Sequence, residues 1–246
     1  MIDFHTHILP GIDDGSRDEA MTQAMLLEQR RQGVELVVAT PHFYADRVSV
    51  NHFLDKRAEA LQKAERIRHE SSEPLPELCA GAEVYYFNGI GQAAEIPKLC
   101  IGNTRTLLLE MPFEQWNERT VGDIRDLTSG QGLRVVIAHI ERYAGFQRQK
   151  TAWDRVLAMD LTFQINAGSF IKQGGILHRN GRQRFCLDFL AQHPRTIIGS
   201  DCHNMSERRP NLAQAREQIA EKLGEKALQT IDDACARVLE RTDVPD

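Results

Sequence analysis

The stretch Leu133-Arg-Val-Val-Ile-Ala-His139 joins a short apolar run to a histidine at its carboxyl end. Such a run of mostly β-branched and apolar residues is typical of a buried strand. A helical pattern near 119–129 precedes it, and another over Thr151–Met159 follows it. A buried strand between two helices is the repeating unit of a parallel sheet with crossover helices. The stretch therefore predicts a parallel α/β fold.

The same alternation extends over the rest of the chain. Further strands are predicted at Val34–Ala39, Leu78–Ala82, Leu107–Leu109, Leu161–Ile165 and Thr196–Ile198. Further helices are predicted at 17–32, Asn51–Glu70, Gln183–Gln192 and, around Gly224, within 206–240. Ser16 and Glu19 have the spacing of a capping box for the first helix, and Gly33 fits its end. About seven strands without a glycine-rich dinucleotide motif favour a β/α barrel of TIM-like type rather than an open doubly wound sheet. Residues 1–246 are expected to form this barrel as a single domain.

Composition and charge exclude several classes of protein. The 246 residues are 41% hydrophobic and 26% charged, as in an ordinary globular chain. A formal net charge of −5 has the wrong sign for a general nucleic-acid binder. No apolar run approaches the length of a membrane span, and no signal-peptide pattern opens the sequence. We therefore expect a cytoplasmic protein with no membrane insertion and no nucleic-acid partner.

The cysteines offer one competing interpretation. There are five, none in a Cys-x-x-Cys pair, which is typical of reduced thiols. Cys202–Arg208 and Cys235–Arg241 match the Cys-x5-Arg pattern of thiolate-dependent tyrosine phosphatases. Neither segment contains the glycine that a phosphate-cradling loop requires, and arginine is abundant enough for chance matches. A cysteine nucleophile is therefore disfavoured.

Histidine, aspartate and glutamate side chains recur at the carboxyl ends of the predicted strands. These residues are His5, His7, Asp14, His42, Glu83, Glu110, His139, Asp201 and His203. In a β/α barrel these ends converge on the face that carries the active site. Taken singly, a histidine here is more often structural and a glutamate more often part of an ion pair. Four carboxylates buried together need cations, however, and neutral imidazoles complete a set of ligands for divalent metals. His52, His69, His178 and His193 are assigned to structural or surface roles.

Several motifs resemble one family closely. They are Met-Ile-Asp-Phe-His5-Thr-His7-Ile-Leu-Pro-Gly-Ile-Asp-Asp14-Gly, Thr-Pro-His42, Gly-Ala-Glu83-Val-Tyr, Leu-Leu-Leu-Glu110, Ala-His139-Ile-Glu-Arg142-Tyr and Ser-Asp201-Cys-His203-Asn. The chain resembles the PHP (polymerase and histidinol phosphatase) superfamily, and within it the protein-tyrosine phosphatases of bacterial capsule and exopolysaccharide loci, the CpsB type. The resemblance runs from residue 1 to at least Pro210 and includes Asn166-Ala-Gly-Ser169. Cys202 and Arg209 depart from the usual pattern and leave the ligand positions intact.

The resemblance implies a distorted β/α barrel with three divalent metal ions, typically Mn²⁺, with Fe²⁺ or Zn²⁺ as alternatives. It implies one metal held by His5, His7, Glu83 and Asp201. It implies a second held by Glu83, Glu110 and His139, and a third held by Asp14, His42 and His203. The implied partner is a phosphotyrosine-bearing tyrosine autokinase of polysaccharide export. A homo-oligomer is left open.

The expected reaction is hydrolysis of a phosphomonoester by a hydroxide that bridges two metals, without a phosphoenzyme. Arg142 and Arg208 are the predicted phosphate clamps, since guanidinium groups bind phosphate through two hydrogen bonds. Arg209 is a weaker third candidate. Five aromatic residues could pack on a substrate ring or fill the core, namely Phe43, Tyr44, Phe113, Trp116 and Tyr143. No proton donor for the leaving group is identified, and a phenolate beside a metal needs none.

Two other functions compete with this one. The same chemistry could act on a small phosphomonoester such as histidinol phosphate or a nucleotide, although the narrow motifs disfavour it. The chain could also be a non-catalytic metal-binding scaffold domain. The complete set of ligand positions argues against a scaffold, because inactive relatives usually lose ligands first.

Overall fold

Short parallel strands alternate with helices through residues 1–171 and 179–240, which are the part of the chain that the computed structural model describes. His178 lies outside these residues. Nine strand segments are present in this part: β1 Ile2–Thr6, β2 Leu36–Ala39, β3 His42–Phe43, β4 Glu77–Ala80, β5 Glu83–Tyr85, β6 Thr106–Glu110, β7 Arg134–Ile137, β8 Thr162–Asn166 and β9 Thr196–Gly199. All of the sheet pairings are parallel.

The helices follow the predicted pattern within a few residues. They are α1 Glu19–Arg31, α2 Val50–Glu70, α3 Glu118–Arg125, α4 Lys150–Leu157, α5 Arg179–Gln192, α6 Leu212–Leu223 and α7 Glu225–Leu239. Gly33 follows α1 with φ +81°, the left-handed conformation that ends many helices. The 206–240 segment becomes helical only at Leu212, and Gly224 separates its two helices.

The predicted capping box at Ser16 is wrong. The residue that caps α1 is Asp18, whose side chain accepts a hydrogen bond from the Met21 amide at 2.8 Å. Ser16 is buried in the preceding loop, where its amide donates to the His7 carbonyl at 2.9 Å. Its hydroxyl lies 2.8 Å from the Thr22 hydroxyl. Tertiary contacts with the β1 loop therefore hold Ser16, and the exposed Asp18 is left to begin the helix.

The strand segments form two sheets. Their orders are β1-β2-β4 and β3-β5-β6-β7-β8-β9. Two residues, Thr40 and Pro41, separate β2 from β3, and two others, Gly81 and Ala82, separate β4 from β5. Pro41 has no amide hydrogen and cannot continue a ladder. When β2 with β3, and β4 with β5, are each counted as one interrupted strand, the nine segments make seven strands, in agreement with the predicted number.

Hydrogen bonds outside the named ladders join the two sheets at both margins. On one side the Gly81 amide, just before β5, donates to the Ala39 carbonyl of β2 at 2.8 Å, and the Glu83 amide of β5 donates to the Pro41 carbonyl, just after β2, at 3.0 Å. On the other side the Asp201 amide donates to the His5 carbonyl at 2.8 Å, and Thr6 forms a parallel bridge with Cys202. The neighbour contacts thus follow a ring order, although the ladders are split between two sheets. The predicted parallel α/β class is confirmed.

The strands carry the apolar core, and their carboxyl ends point to one end of the molecule. The central residues of β6 and β7, Leu107–Leu109 and Val135–Ile137, are almost fully inaccessible to solvent. Buried polar residues gather where these strands end, with Glu110 the last residue of β6. Of the helices in the described ranges, none combines the length and the apolar character that crossing a bilayer requires.

Candidate metal centre

Nine predicted ligand residues converge at the carboxyl ends of the strands. Three sets of ligand atoms each lie within 4.8 Å of one another: His7, Asp14, His42 and His203; His5, His7 and Glu83; and His42, Glu83 and Glu110. The remaining two residues adjoin these sets. His139 Nε2 lies 2.9 Å from Glu83 Oε1, and Asp201 Oδ1 lies 3.4 Å from His7 Nε2. The described residues thus form one continuous cluster of imidazoles and carboxylates. Three of its carboxylates are buried, but the expectation of a fourth is wrong, because the Asp14 side chain is 67% exposed at the rim.

Glu83 is the centre of this cluster. Its Oε2 atom lies 3.0 Å from His42 Nδ1, 3.2 Å from His5 Nε2 and 3.3 Å from His7 Nε2. Burial alone would raise the pKa of this carboxyl group, but the surrounding histidines hold the pKa well below its ordinary value. A carboxylate whose two oxygens face different imidazoles is suited to bridge two cations.

Glu110 shows how crowded the negative charge is. Burial and the neighbouring charge of Glu83 raise the pKa of Glu110 to about 7. Its Oε1 atom lies 3.5 Å from His139 Nε2. A cation between the two carboxylates would remove this repulsion and keep both of them ionised.

The outward-facing nitrogens of four histidines have fixed partners. The Nδ1 atoms of His5 and His7 lie 3.1 Å from Gln164 Oε1 and 2.7 Å from Asp13 Oδ2. Those of His139 and His203 each lie 3.0 Å from an oxygen, namely the Tyr143 hydroxyl and the Asp201 carbonyl. A carbonyl or carboxylate oxygen at Nδ1, as in His5, His7 and His203, retains the proton there and leaves the Nε2 lone pair facing the cluster. Such outer partners are characteristic of metal-binding histidines.

Buried polar atoms without hydrogen bonds provide a test of whether a metal fits here. Among the described residues, eight buried side-chain atoms lack a hydrogen-bond partner, and four of the eight are Glu83 Oε2, Glu110 Oε2, His42 Nδ1 and His203 Nε2. Buried groups of this kind are costly unless something pairs with them. All four belong to the cluster, and oxygen and imidazole nitrogen are the donors that Mn²⁺, Fe²⁺ and Zn²⁺ accept. The donor set therefore fits divalent metal ions.

The backbone at the cluster is closely constrained. A Cβ atom on Gly15 would lie 2.1 Å from the His7 carbonyl oxygen, and one on Gly199 would lie 2.6 Å from His5 Cβ. His139 and Asp201 have φ values of 29° and 53°, in the left-handed region that side-chain-bearing residues rarely adopt. Such conformations cost on the order of 1–3 kcal/mol each and persist where the surroundings impose them.

The two arginines that were predicted to bind phosphate lie at the edge of the cluster. Arg208 Nη2 lies 2.8 Å from Asp201 Oδ2, and Arg142 Nη1 lies 3.9 Å from the same oxygen. The Arg208 carbonyl accepts a 2.8 Å hydrogen bond from the His203 amide, which closes the loop that carries the arginine. The Arg142 guanidinium stacks 4.8 Å from the centre of the Phe113 ring. Both guanidinium groups remain partly exposed and face a cleft of about 700 Å³.

The five aromatic candidates divide into two groups. Phe43, Trp116 and Tyr143 are buried in the core, so for them the structural alternative holds. Phe113 lines the arginine cleft with its ring 6.1 Å from that of His139. Tyr44 lies on the other side of the cluster, 5.4 Å from the His42 ring, in a second cleft with Asp14. These two rings line clefts beside the cluster.

The remaining described histidines and Arg209 do not belong to the ligand sets found among the described residues. His69 pairs with Glu65, and His193 stacks on Phe189 at 4.1 Å. His52 lines the Tyr44 cleft but contributes no atom to the three ligand sets found among the described residues. Arg209 is exposed, and within the described part of the chain it forms no ion pair.

Cys202 has the wrong properties for a nucleophile. It is completely buried, and burial together with the charge of Asp3 raises the pKa of its thiol to about 12. The thiolate that nucleophilic attack requires is therefore scarce at neutral pH. All five cysteines are free. The structure thus gives the Cys-x5-Arg pattern at Cys202 no support.

Four residues that support the cluster were not predicted to do so. Asp13, Gln164 and Tyr143 contact the outward nitrogens described above, and Asn166 Nδ2 donates to Asp201 Oδ2 at 2.7 Å. Gln164 also accepts a 2.7 Å hydrogen bond from the His139 amide. Polar residues in the buried strand β8 were the available signal, since Gln164 and Asn166 alternate on one face.

Asp13 gives a direct test of this outer layer. Besides His7, it accepts hydrogen bonds from the amides of Gly15 at 3.0 Å and His42 at 3.1 Å. These bonds lower the pKa of Asp13 to about 2 against the effect of burial. Because Asn cannot accept at both oxygen positions, we expect Asp13→Asn to weaken Mn²⁺ binding by roughly 10- to 100-fold in titration calorimetry. Asp46→Asn, on an exposed residue, is the control, and equal affinities for the two variants would contradict this role.

The sequence matches one protein family and is similar to known tyrosine-protein phosphatases. The model of the CpsB/CapC family, described as capsular polysaccharide synthesis, matches residues 1–239. CpsB of Streptococcus agalactiae, a tyrosine-protein phosphatase, is 28% identical over 246 residues, covering 92% of each chain. YwqE of Bacillus subtilis, also a tyrosine-protein phosphatase, is 29% identical over 225 residues, covering 91% of this chain and 85% of its own.

Solved structures share the fold. A structure described for YwqE from Bacillus subtilis and CpsB from Streptococcus pneumoniae, metal-dependent tyrosine phosphatases, superposes with a TM-score of 0.81 at 22% identity and covers 99% of this chain and 96% of its own. The lactonase Lmo2620 from Listeria monocytogenes superposes with a TM-score of 0.58 at 10% identity, and the match covers 98% of this chain and 95% of the lactonase chain. The match of the family model over nearly all of the sequence establishes that the chain belongs to the CpsB/CapC family.

Proposed function

We propose that this chain is a metal-dependent protein-tyrosine phosphatase that acts in bacterial capsule or exopolysaccharide synthesis. The observation that carries the proposal is the convergence of nine imidazole and carboxylate side chains next to two partly exposed arginines. Four buried atoms of the cluster lack hydrogen bonds among the described residues, as expected of metal ligands. Membership of the CpsB/CapC family and the names of the relatives support the same activity.

The proposed cofactor is a group of three divalent metal ions, with Mn²⁺ as the preferred metal. His5, His7, Glu83 and Asp201 would hold one ion, and Glu83, Glu110 and His139 a second. Asp14, His42 and His203 would hold the third. When bound, such ions lower the pKa of water and neutralise the charge on phosphate oxygens. Residues 1–246 are proposed to form one domain around this centre.

Arg142 and Arg208 are proposed to bind the phosphate group. Both project into the cleft beside the cluster, and both lie within reach of one oxygen of Asp201. A phosphate that displaces this contact would gain two guanidinium groups, each able to donate two parallel hydrogen bonds. The stacking of Arg142 on Phe113 fixes the plane of one of them.

A phosphotyrosine side chain fits the surroundings of the cluster. Phe113 on one side and Tyr44 on the other lie beside histidines of the centre, where a phenyl ring attached to the phosphate would pass. Offset or edge contacts between aromatic rings contribute about 0.5–1.5 kcal/mol each. A phenolate is a sufficiently good leaving group beside a cation that no separate acid is required. The proposed protein substrate is a tyrosine autokinase of polysaccharide export, and the proposed location is the cytoplasm.

The experiment that tests the proposed function compares a phosphotyrosine peptide with histidinol phosphate. The wild type and Cys202→Ser are assayed with added Mn²⁺ and with EDTA. We expect hydrolysis of the peptide, loss of activity in EDTA, and full activity of Cys202→Ser, because the pKa of the buried thiol is about 12. The kcat/KM for the peptide should exceed that for histidinol phosphate.

Three results would count against this function. Inactivity of Cys202→Ser, combined with full wild-type activity in EDTA, would replace the metal mechanism with a thiolate one. A strong preference for histidinol phosphate would assign a small-molecule substrate. No turnover of either substrate at saturating Mn²⁺ would favour a non-catalytic scaffold.

A further inference from the structure

A third cleft, separate from the two beside the metal centre, lies at the opposite end of the strands. Its volume is about 710 Å³, and it is bordered by the amino ends of β7 and β8, the segment before β9, and the helices α3, α4 and α7. The nine ligand residues lie at the carboxyl ends of the strands. The two regions are therefore separated by the length of the parallel strands.

Five arginines line this cleft. They come from five different elements or loops: Arg125, Arg134, Arg155, Arg195 and Arg237. Among the described residues, the only carboxylate in the lining is that of Asp160, which pairs with Arg195. Arg155 pairs with Glu118 outside the lining. Together these seven side chains have a net charge of +3, in a chain whose overall charge is −5.

Two of the arginines are available to a ligand. Among residues 1–171 and 179–240, no side chain forms an ion pair with Arg125 or Arg237. The guanidinium of Arg134 donates to the carbonyls of Arg237 and Glu240, which fixes it beside the end of α7. The arginines therefore combine one immobilised donor with two guanidinium groups that have no protein counterion in these ranges.

Apolar side chains form the rest of the lining. Leu133, Val135, Leu161 and Val238 belong to the buried core, and Met159 packs against it. Thr128, Ser129 and Thr162 also line the cleft. Cavities of about 300–1,000 Å³ with apolar walls and a few charged groups are typical of small-molecule sites.

We propose that this cleft binds a small organic diphosphate or triphosphate. The phosphoryl groups contact Arg125, Arg134 and Arg237, and the organic part packs on the apolar residues. Guanidinium groups suit phosphate oxygens because they donate two parallel hydrogen bonds. The net charge of +3 matches the three to four negative charges of such a ligand. The apolar lining distinguishes an organic phosphate from inorganic anions.

Binding of ADP, with pyrophosphate and adenosine as comparisons, tests the proposal by titration calorimetry. We expect ADP to bind more tightly than either comparison ligand. Pyrophosphate can contact only the arginines, and adenosine can contact only the apolar residues. The double variant Arg125→Gln/Arg237→Gln should bind ADP at least about tenfold more weakly. Arg184→Gln, on an exposed residue of α5 paired with Asp188, is the matched control and should bind like the wild type.

A second control separates this cleft from the metal centre. Arg208→Gln should bind ADP like the wild type, whereas the double variant should hydrolyse the phosphotyrosine peptide within about twofold of the wild-type rate. An unchanged melting temperature of the double variant would show that its fold is intact. The single variants Arg125→Gln and Arg237→Gln should each bind ADP with an affinity between those of the wild type and the double variant.

Several outcomes would overturn the proposal. One is equal ADP affinity in the double variant and the wild type, and another is the absence of saturable ADP binding. Loss of ADP binding in Arg208→Gln alone would place the ligand at the metal centre. Displacement of ADP by a hexaglutamate peptide at lower concentrations than by pyrophosphate would assign the cleft to an acidic polypeptide.

Discussion

Glu83→Gln is expected to lower the turnover of a phosphotyrosine peptide by on the order of 10³-fold, because metal ions supply several kcal/mol of charge stabilisation in such reactions. Glu83 lies within 3.3 Å of His5, His7, His42 and His139. Glutamine keeps the size of the side chain but removes the negative charge and one of the two acceptor oxygens. The proposed bridge between two ions is then lost.

Metal binding gives an independent readout for this variant. A ligand that binds only the folded state at one hundred times its Kd stabilises that state by about 2.7 kcal/mol. We therefore expect Mn²⁺ to raise the Tm of the wild type and to raise that of Glu83→Gln much less. Glu77→Gln, on an exposed residue of β4, is the control and should respond like the wild type. Retention of more than about a tenth of the activity by Glu83→Gln at saturating Mn²⁺ would contradict the bridging role.

Gly15→Ala is expected to destabilise the protein by about 3 kcal/mol, which for a chain of this length corresponds to a Tm lower by roughly 10 °C. The new methyl group would lie 2.1 Å from the His7 carbonyl oxygen and 2.4 Å from His7 Cβ. Neither atom is the end of a flexible side chain, so the backbone around His7 must move. Mn²⁺ affinity should fall as well, since His7 belongs to two of the three ligand sets.

Gly122→Ala is the matched control for Gly15→Ala. Gly122 lies within α3, and a Cβ atom there would meet nothing within 4 Å. Alanine is favoured over glycine in a helix by about 1 kcal/mol. We therefore expect this variant to melt at or slightly above the temperature of the wild type, with unchanged Mn²⁺ affinity. Similar melting temperatures for Gly15→Ala and the wild type would show that the loop accommodates the methyl group without strain.

The fold could be predicted because its strands are read from local patterns. Val135–Ala138 is apolar without interruption, as a strand buried on both faces requires, and the structure places β7 at Arg134–Ile137. The breaks at Pro41 and Gly81 were harder to predict, since whether a strand resumes after a break depends on the adjacent strands in the sheet. The segment Glu83–Tyr85 is a strand because it pairs with β3 and β6, which lie far from it in sequence.

In the metal cluster, too, some residues could be predicted from local patterns and others could not. The ligand-type residues could be predicted because each follows a strand and parallel strands end on one face. Gln164 contacts His5 across 159 positions of sequence, and no local pattern indicates such a pair. The first helix cap was wrong for a related reason, since Ser16 and Asp18 are both good caps and distant contacts decided between them.

The left-handed backbone at His139 and Asp201 sets a limit on how this protein can be made more stable. Glycine relieves the strain of such a conformation, and replacements of this kind are a common route to thermostable variants. At these two positions glycine would delete a side chain of the cluster. Directed evolution for heat resistance and directed evolution for turnover should therefore choose opposite residues at positions 139 and 201.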